Sequence, residues 1–214
     1  LEMFNVKHII ARSDLAKGEL NANPLYQKVA SFEPYEIYEL KTNDARYVTV
    51  PKYEPILFET KEWKRVAYYD WFQNEDLLDI PLVFTKNVQR DSEEFKLAAV
   101  SGKVNGLPRV PIDHNCNIQE KVLQEEIIFT TDCVGKPHII RISYFPNWQV
   151  DGAKRVYLVS PSFMLIFPEK EKVRLYYAEI WIEHIGKMLT YFGLLALVFI
   201  TLSRNQKLKS FVPR

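Results

Sequence analysis

The sequence predicts an α+β N-terminal part followed by an antiparallel β-sandwich and one C-terminal transmembrane helix. Three patterns carry this expectation: period-two alternation between about residues 125 and 178, helical spacing of Trp63, Val66, Ala67 and Trp71, and a charge-free stretch from Met188 to Leu202. The 214 residues are 47% hydrophobic and 26% charged, which excludes both a disordered chain and one made mainly of membrane helices. With 28 Lys plus Arg against 27 Asp plus Glu, the formal net charge is +1. That balance removes the electrostatic attraction on which nonspecific nucleic-acid binding depends, so no nucleic-acid partner is expected.

From the beginning, residues 1–90 read as a small α+β unit. Asn5 to Ile10, Glu36 to Leu40 and Tyr47 to Val50 carry strand patterns, and the Lys61 to Phe72 stretch carries the helical one. The chain opens on Leu1 and Glu2 without a basic segment and apolar run, so a fragment or processed product is expected in place of a signal peptide. Residues 91–124, with Gly102 and Gly106, are the expected connection.

Residues 125–179 form the expected β-sandwich portion. His138 to Tyr144 puts Ile140, Ile142 and Tyr144 on one face, and Lys172 to Tyr177 puts Val173, Leu175 and Tyr177 on one face. Ile127 to Thr131, Arg155 to Val159 and Ser162 to Phe167 are further β-branched and aromatic runs closed by turn residues. Close spacing without intervening helical patterns indicates antiparallel pairing.

Residues 180–203 are the expected transmembrane helix, long enough to cross the ~30 Å hydrocarbon layer. Trp181 and Lys187 suit its outer interface and Arg204 its inner one, with Trp181 in an aromatic belt and the Lys187 stem able to snorkel. The basic tail, 204–214, has no acidic residue, whereas Glu179 and Glu183 precede the helix. The positive-inside rule therefore puts the tail in the cytoplasm and the bulk of the chain in the periplasm or at the cell surface.

On that topology a Cys116–Cys133 disulfide is permitted by compartment and is the expected arrangement. Two separate buried thiols are the bland alternative. A zinc set drawn from His114, Cys116, Cys133 and His138 has the right atoms but lacks tightly paired spacing, so no metal and no cofactor are expected. Glycine-rich phosphate loops, Gly-x-Ser-x-Gly and His-Glu-x-x-His are absent, and the adjacent Glu125 and Glu126 would face opposite sides of a strand. No catalytic residue is assigned. The aromatic clusters Tyr68 to Phe72 and Tyr144 to Trp148 could stack on sugar rings, although core packing is the commoner use.

The segment Gly135 to Ala153, with Tyr157 to Pro168 and Val173 to Tyr177, resembles the extracytoplasmic C-terminal region of polytopic bacterial membrane proteins. These are labelled 6-pyruvoyl-tetrahydropterin-synthase-related and are similar to GT-C-type glycosyltransferases. Ser143-Tyr144-Phe145-Pro146-Asn147-Trp148 looks like their Tyr-x-Pro-Gly-Trp strand end, with Asn147 where the family has Gly. Asn5 to Ile10 and Phe32 to Leu40 resemble the segment after the last membrane bundle. The resemblance implies a domain that follows many membrane helices and precedes a final one. It supplies no catalytic position, because the acidic residues of such enzymes lie in an N-terminal membrane region that this chain lacks.

The expected function is a noncatalytic, membrane-anchored domain that packs on or stabilises other integral membrane subunits. The alternative is the accessory part of a glycosyltransferase that holds a glycan or lipid-linked sugar. Tyr144, Asn147 and Trp148 are the candidate partner or glycan contacts.

Overall fold

The computed structural model describes residues 1–113 and 115–209, with the side chains of residue 92 and residues 202–209 outside the description. Two compact units divide the chain, Leu1–Tyr176 and Tyr177–Arg214.

Most of the first unit is sheet. A three-stranded antiparallel sheet is built from β1 (His8–Ala11), β2 (Tyr26–Phe32) and β3 (Tyr35–Leu40), with β3 in the middle. Between β1 and β2 lies α1 (Asp14–Ala22), which the sequence reading missed. Its start is set by Ser13, whose hydroxyl accepts the Ala16 N–H at 3.3 Å and so satisfies one of the helix's free donors.

A seven-stranded sheet forms the centre, in the order β4 (Val48–Thr49), β10 (His138–Ser143), β13 (Phe163–Ile166), β12 (Tyr157–Val159), β6 (Leu82–Thr85), β5 (Ile56–Glu59) and β7 (Val100–Ser101). Pairing is antiparallel from β4 to β6 but parallel for β5 with β6 and β5 with β7. Parallel neighbours need a crossover. Here it is α2 (Trp63–Arg65), which widens at once into a π-helical turn, Val66–Trp71. The expected helix is thus present, with Val66, Ala67 and Trp71 buried, but in π rather than α geometry. A second crossover contains α3 (Val88–Asp91).

A four-stranded antiparallel sheet follows, in the order β11 (Trp148–Asp151), β14 (Lys172–Tyr177), β9 (Glu126–Thr131) and β8 (Ile118–Val122). Alternation decides its packing. Ile127 and Phe129 of β9 and Val173 and Leu175 of β14 cluster with Val48, Ile140, Met164 and Ile166 of the central sheet.

The register separates the two faces of the central sheet. Leu158 pairs with Met164, and both point to the face that carries this cluster and the neighbouring one of Ile56, Phe58, Leu82, Phe84 and Trp71. Tyr157, Val159, Leu165, Leu57 and Val83 point to the other face. The central strands are therefore covered on both sides, which explains why β5, β6 and β13 read as near-continuous apolar runs and not as alternation.

Pairing among the strands of 125–179 is antiparallel as expected, and the parallel pairs, β5 with β6 and β5 with β7, lie earlier in the chain. The expected 91–124 connection needs correction, since it contributes β7 to the central sheet and β8 to the four-stranded one, while the central sheet takes strands from both sides of it. Leu1–Tyr176, with the connection included, is thus one unit. The physical reason is that β5 and β6 are too short and too apolar to bury both faces without strands from later in the chain.

In the second unit, α4 (Trp181–Lys209) is a single helix. Within it Trp181–Thr201 is apolar and long enough to cross a membrane, 21 residues with none of the apolar window buried.

Candidate functional site

The residues expected to contact a partner or glycan are drawn toward the core to different depths. Asn147 is only 6% exposed, so it belongs to the interior and is not a surface contact. Trp148 opens β11 half-buried against the Ile140 and Val173 cluster, with its backbone N–H donated to the Phe145 carbonyl at 3.1 Å. Tyr144 packs against the same cluster, and burial pushes its phenol above the ordinary range. The exposed members of this stretch are Phe145 and Pro146. A Pro-Asn turn drives these side chains inward because β10 ends there, and the ring that follows must cover the end of the core.

Cys116 and Cys133 are joined in a disulfide that ties the loop before β8 to the turn after β9. Asp132 places a carboxylate oxygen within 4.8 Å of both sulfurs, but each sulfur is bonded to the other and neither is a thiolate available to a metal. His114 of the zinc alternative lies outside the described residues. His138 is fully buried, its ring held between the Thr131 hydroxyl at 2.9 Å and the Lys136 carbonyl at 2.9 Å. The carbonyl can only accept, so Nδ1 carries the proton and Nε2 accepts from Thr131, whose oxygen in turn accepts the Cys133 N–H at 3.1 Å. Burial lowers the imidazole's pKa. This chain of bonds fastens the disulfide turn to β10, and it leaves His138 no free position for a ligand.

A polar cluster that sequence reasoning missed lies at the C-terminal end of β6 and the start of β12. Asp91 is 4% exposed and accepts from the Thr85 hydroxyl at 2.5 Å, the Arg90 Nε at 2.8 Å and Arg155 at 2.8 Å. Burial opposes ionisation there, yet the bonds from Arg90 and Thr85 and the charges of Arg90 and Arg155 hold the carboxyl below the ordinary range. Beside it, Glu93 pairs with Lys154, and Glu94 accepts from the Tyr157 hydroxyl, whose pKa burial pushes up. Phe95 packs edge-on against Tyr157 and Phe167 at 5.3 Å each. Both carboxylate oxygens of Asp91 are engaged with protein, and the cluster fastens the segment around it to the sheet. No motif could have revealed it, since Asp91 and Arg155 are 64 positions apart.

A cleft of about 700 Å³ is lined by Leu25, Leu40, Trp71 and Phe163 together with Lys52 and Arg141. Lys52 is paired with Asp79 at 3.3 Å, and Arg141 donates to the Glu2 carbonyl at 3.2 Å. Among the described residues of its lining, no nucleophile stands beside a base.

In the second unit, Trp181 is exposed and Lys187 pairs with Glu179, which also lies 3.5 Å from the His184 ring. Glu183 caps the helix, its carboxylate accepting the Ile180 N–H at 2.8 Å while its own N–H is given to the Ile180 carbonyl. Charged and polar groups thus collect in the first two turns. The Arg204 backbone is helical, and its side chain is among those not described. No protein-family model, curated protein or solved structure matches this chain.

Proposed function

We propose that this chain is a noncatalytic domain anchored by α4 in a bilayer, with Leu1–Tyr176 on the extracytoplasmic side, and that it packs on other integral membrane subunits. On this reading the two sheets that share the Ile140 and Val173 cluster act as a β-sandwich. The observation that carries the proposal is the span Trp181–Thr201, whose large apolar side chains, from Leu189 through Phe199, have no protein to cover them. Water cannot hold such a surface on a monomer, whereas lipid and neighbouring helices can. The Cys116–Cys133 bridge supports the extracytoplasmic side, since disulfides persist in oxidising compartments. The basic residues after position 203 support it independently.

Labelling of intact cells tests orientation. A Ser31→Cys variant, exposed on β2, is expected to react with a membrane-impermeant maleimide, and a Ser210→Cys variant only after the membrane is opened. The opposite pattern overturns the topology. Extraction of the full chain by alkaline carbonate, which strips peripheral proteins, overturns the anchor itself.

A further inference from the structure

The π-helical turn Val66–Trp71 sorts four aromatic residues that sit almost consecutively in the sequence. Trp71 is 2% exposed, its indole N–H donated to the Ile80 carbonyl at 2.8 Å, whereas Tyr68 and Tyr69 are 57% and 62% exposed. The wide turn, closed by the Phe72 N–H on the Ala67 carbonyl at 2.9 Å, is what allows one ring to reach the core while its neighbours face out. Such turns are frequent at functional sites.

The outward rings are held against one another. Tyr68 meets Tyr69 edge-on at 4.9 Å and stacks on Phe72 at 6.5 Å, and Phe72 meets Phe4 at 5.8 Å. This packing fixes Tyr69 before any ligand arrives, which lowers the entropy lost on binding. Tyr69 is the aromatic wall of a cleft of about 670 Å³, within the ~300–1,000 Å³ range of small-molecule sites.

The rest of the cleft is polar. Asp70, Gln73 and Glu75 come from the same crossover, and Lys103 and Asn105 from the loop after β7. These are planar amides and carboxylates with one ammonium, groups that accept from and donate to adjacent hydroxyls. Arg65, paired with Glu62 at 3.3 Å, and Lys103 do not outnumber Asp70 and Glu75, so the lining has no surplus positive charge with which to select an anion.

We propose that this cleft binds a neutral oligosaccharide, one sugar ring laying its C–H face on Tyr69 while its hydroxyls bond to Asp70, Gln73, Glu75 and Asn105. A sugar is the ligand class that presents an apolar face and a rim of uncharged hydroxyls together, and the cleft answers both. The site differs from the Tyr144 to Trp148 stretch, whose tryptophan and asparagine are committed to the core. It stands apart from the anchoring reading, because binding at Tyr69 and orientation in the membrane are measured separately.

The test is isothermal titration of the full chain in lipid nanodiscs, which avoids sugar-headed detergents, with maltotetraose, cellotetraose, laminaritetraose and chitotetraose. At least one is expected to bind saturably, with Tyr69→Phe retaining the affinity, Tyr69→Ala weakening it about tenfold or more and Gln73→Ala or Asn105→Ala weakening it further. Because Tyr69 is exposed, its variants are expected to melt with the wild type, so a lost signal reports the site and not the fold. The proposal is overturned if none of the sugars binds saturably, or if Tyr69→Ala binds as the wild type does.

Discussion

Gly152 offers a direct test of how β11 meets β14. It follows β11 at a φ of +91°, its carbonyl accepts the Glu169 N–H at 2.8 Å, and Ala153 bridges to Pro168. A Cβ at this position would stand 2.6 Å from the Lys172 carbonyl oxygen and 3.4 Å from the Val173 Cα. Both are backbone atoms of β14, so nothing can rotate away. Gly135 supplies the control, with a φ of +80° and open space where its Cβ would be.

Gly135→Ala therefore carries only the left-handed backbone penalty, about 1–2 kcal/mol. Gly152→Ala carries that penalty and the displacement of a paired strand, another ~1–3 kcal/mol on the scale of overpacking. At about 2–4 °C per kcal/mol for a chain of this size, Gly135→Ala should lower the midpoint by ~2–8 °C and Gly152→Ala by ~4–20 °C. Thermal unfolding of the full chain and both variants in the same nanodiscs measures the difference. Equal midpoints would refute the close approach of Gly152 to β14. A Gly152→Ala protein that melts with the wild type would refute the left-handed backbone at Gly152 as well.

Arg155→Met should destabilise by about 1–3 kcal/mol in urea. That is less than the ~3–5 kcal/mol of a fully broken buried pair, because Arg90 still faces Asp91; no loss of midpoint would show that the cluster does not hold residues 88–95. His138 has a lowered folded pKa, so the unfolded chain takes up its proton more readily. The stability it contributes is complete above the unfolded value of about 6.5 and is lost as pH falls from there through the folded value. Urea midpoints from pH 7.5 to 5 should fall with acid in the wild type and flatten in His138→Gln, and a parallel slope in both contradicts the buried neutral ring. Trp148→Ala should remove about 2 kcal/mol, since the ring is half-buried and the ~3–5 kcal/mol of a fully buried aromatic is not reached; an unchanged midpoint would return Trp148 to the list of surface contacts.

How much was legible beforehand follows from how local each determinant is. β9, β10 and β14 were readable because each has one face on the Ile140 and Val173 cluster, which writes period two directly into the sequence. The charge-free run of α4 needed only its own length. β7 and β8 were not readable. β7 is two residues held by a parallel neighbour more than forty positions earlier, and β8 alternates with little buried surface because it is an outer strand of its sheet. α1 has no buried residue, so it shows no apolar stripe to find, and only the Ser13 cap announced it.

The same reasoning explains how the two aromatic clusters differ in exposure. In a strand ending such as Tyr144 to Trp148, alternation and a turn leave the inward choice to tertiary packing, and the core took Asn147 and much of Trp148. In the Tyr68 to Phe72 stretch, an α-helical spacing assigns Trp71 to the core but does not distinguish a π-turn, whose i to i+5 bond runs from the Phe72 N–H to the Ala67 carbonyl. That one wider turn decides that Tyr69 faces the polar cleft. The chemistry most open to a ligand therefore sits where the backbone departs from the period that a sequence can advertise, and the search for function in this chain belongs at Tyr69 before Trp148.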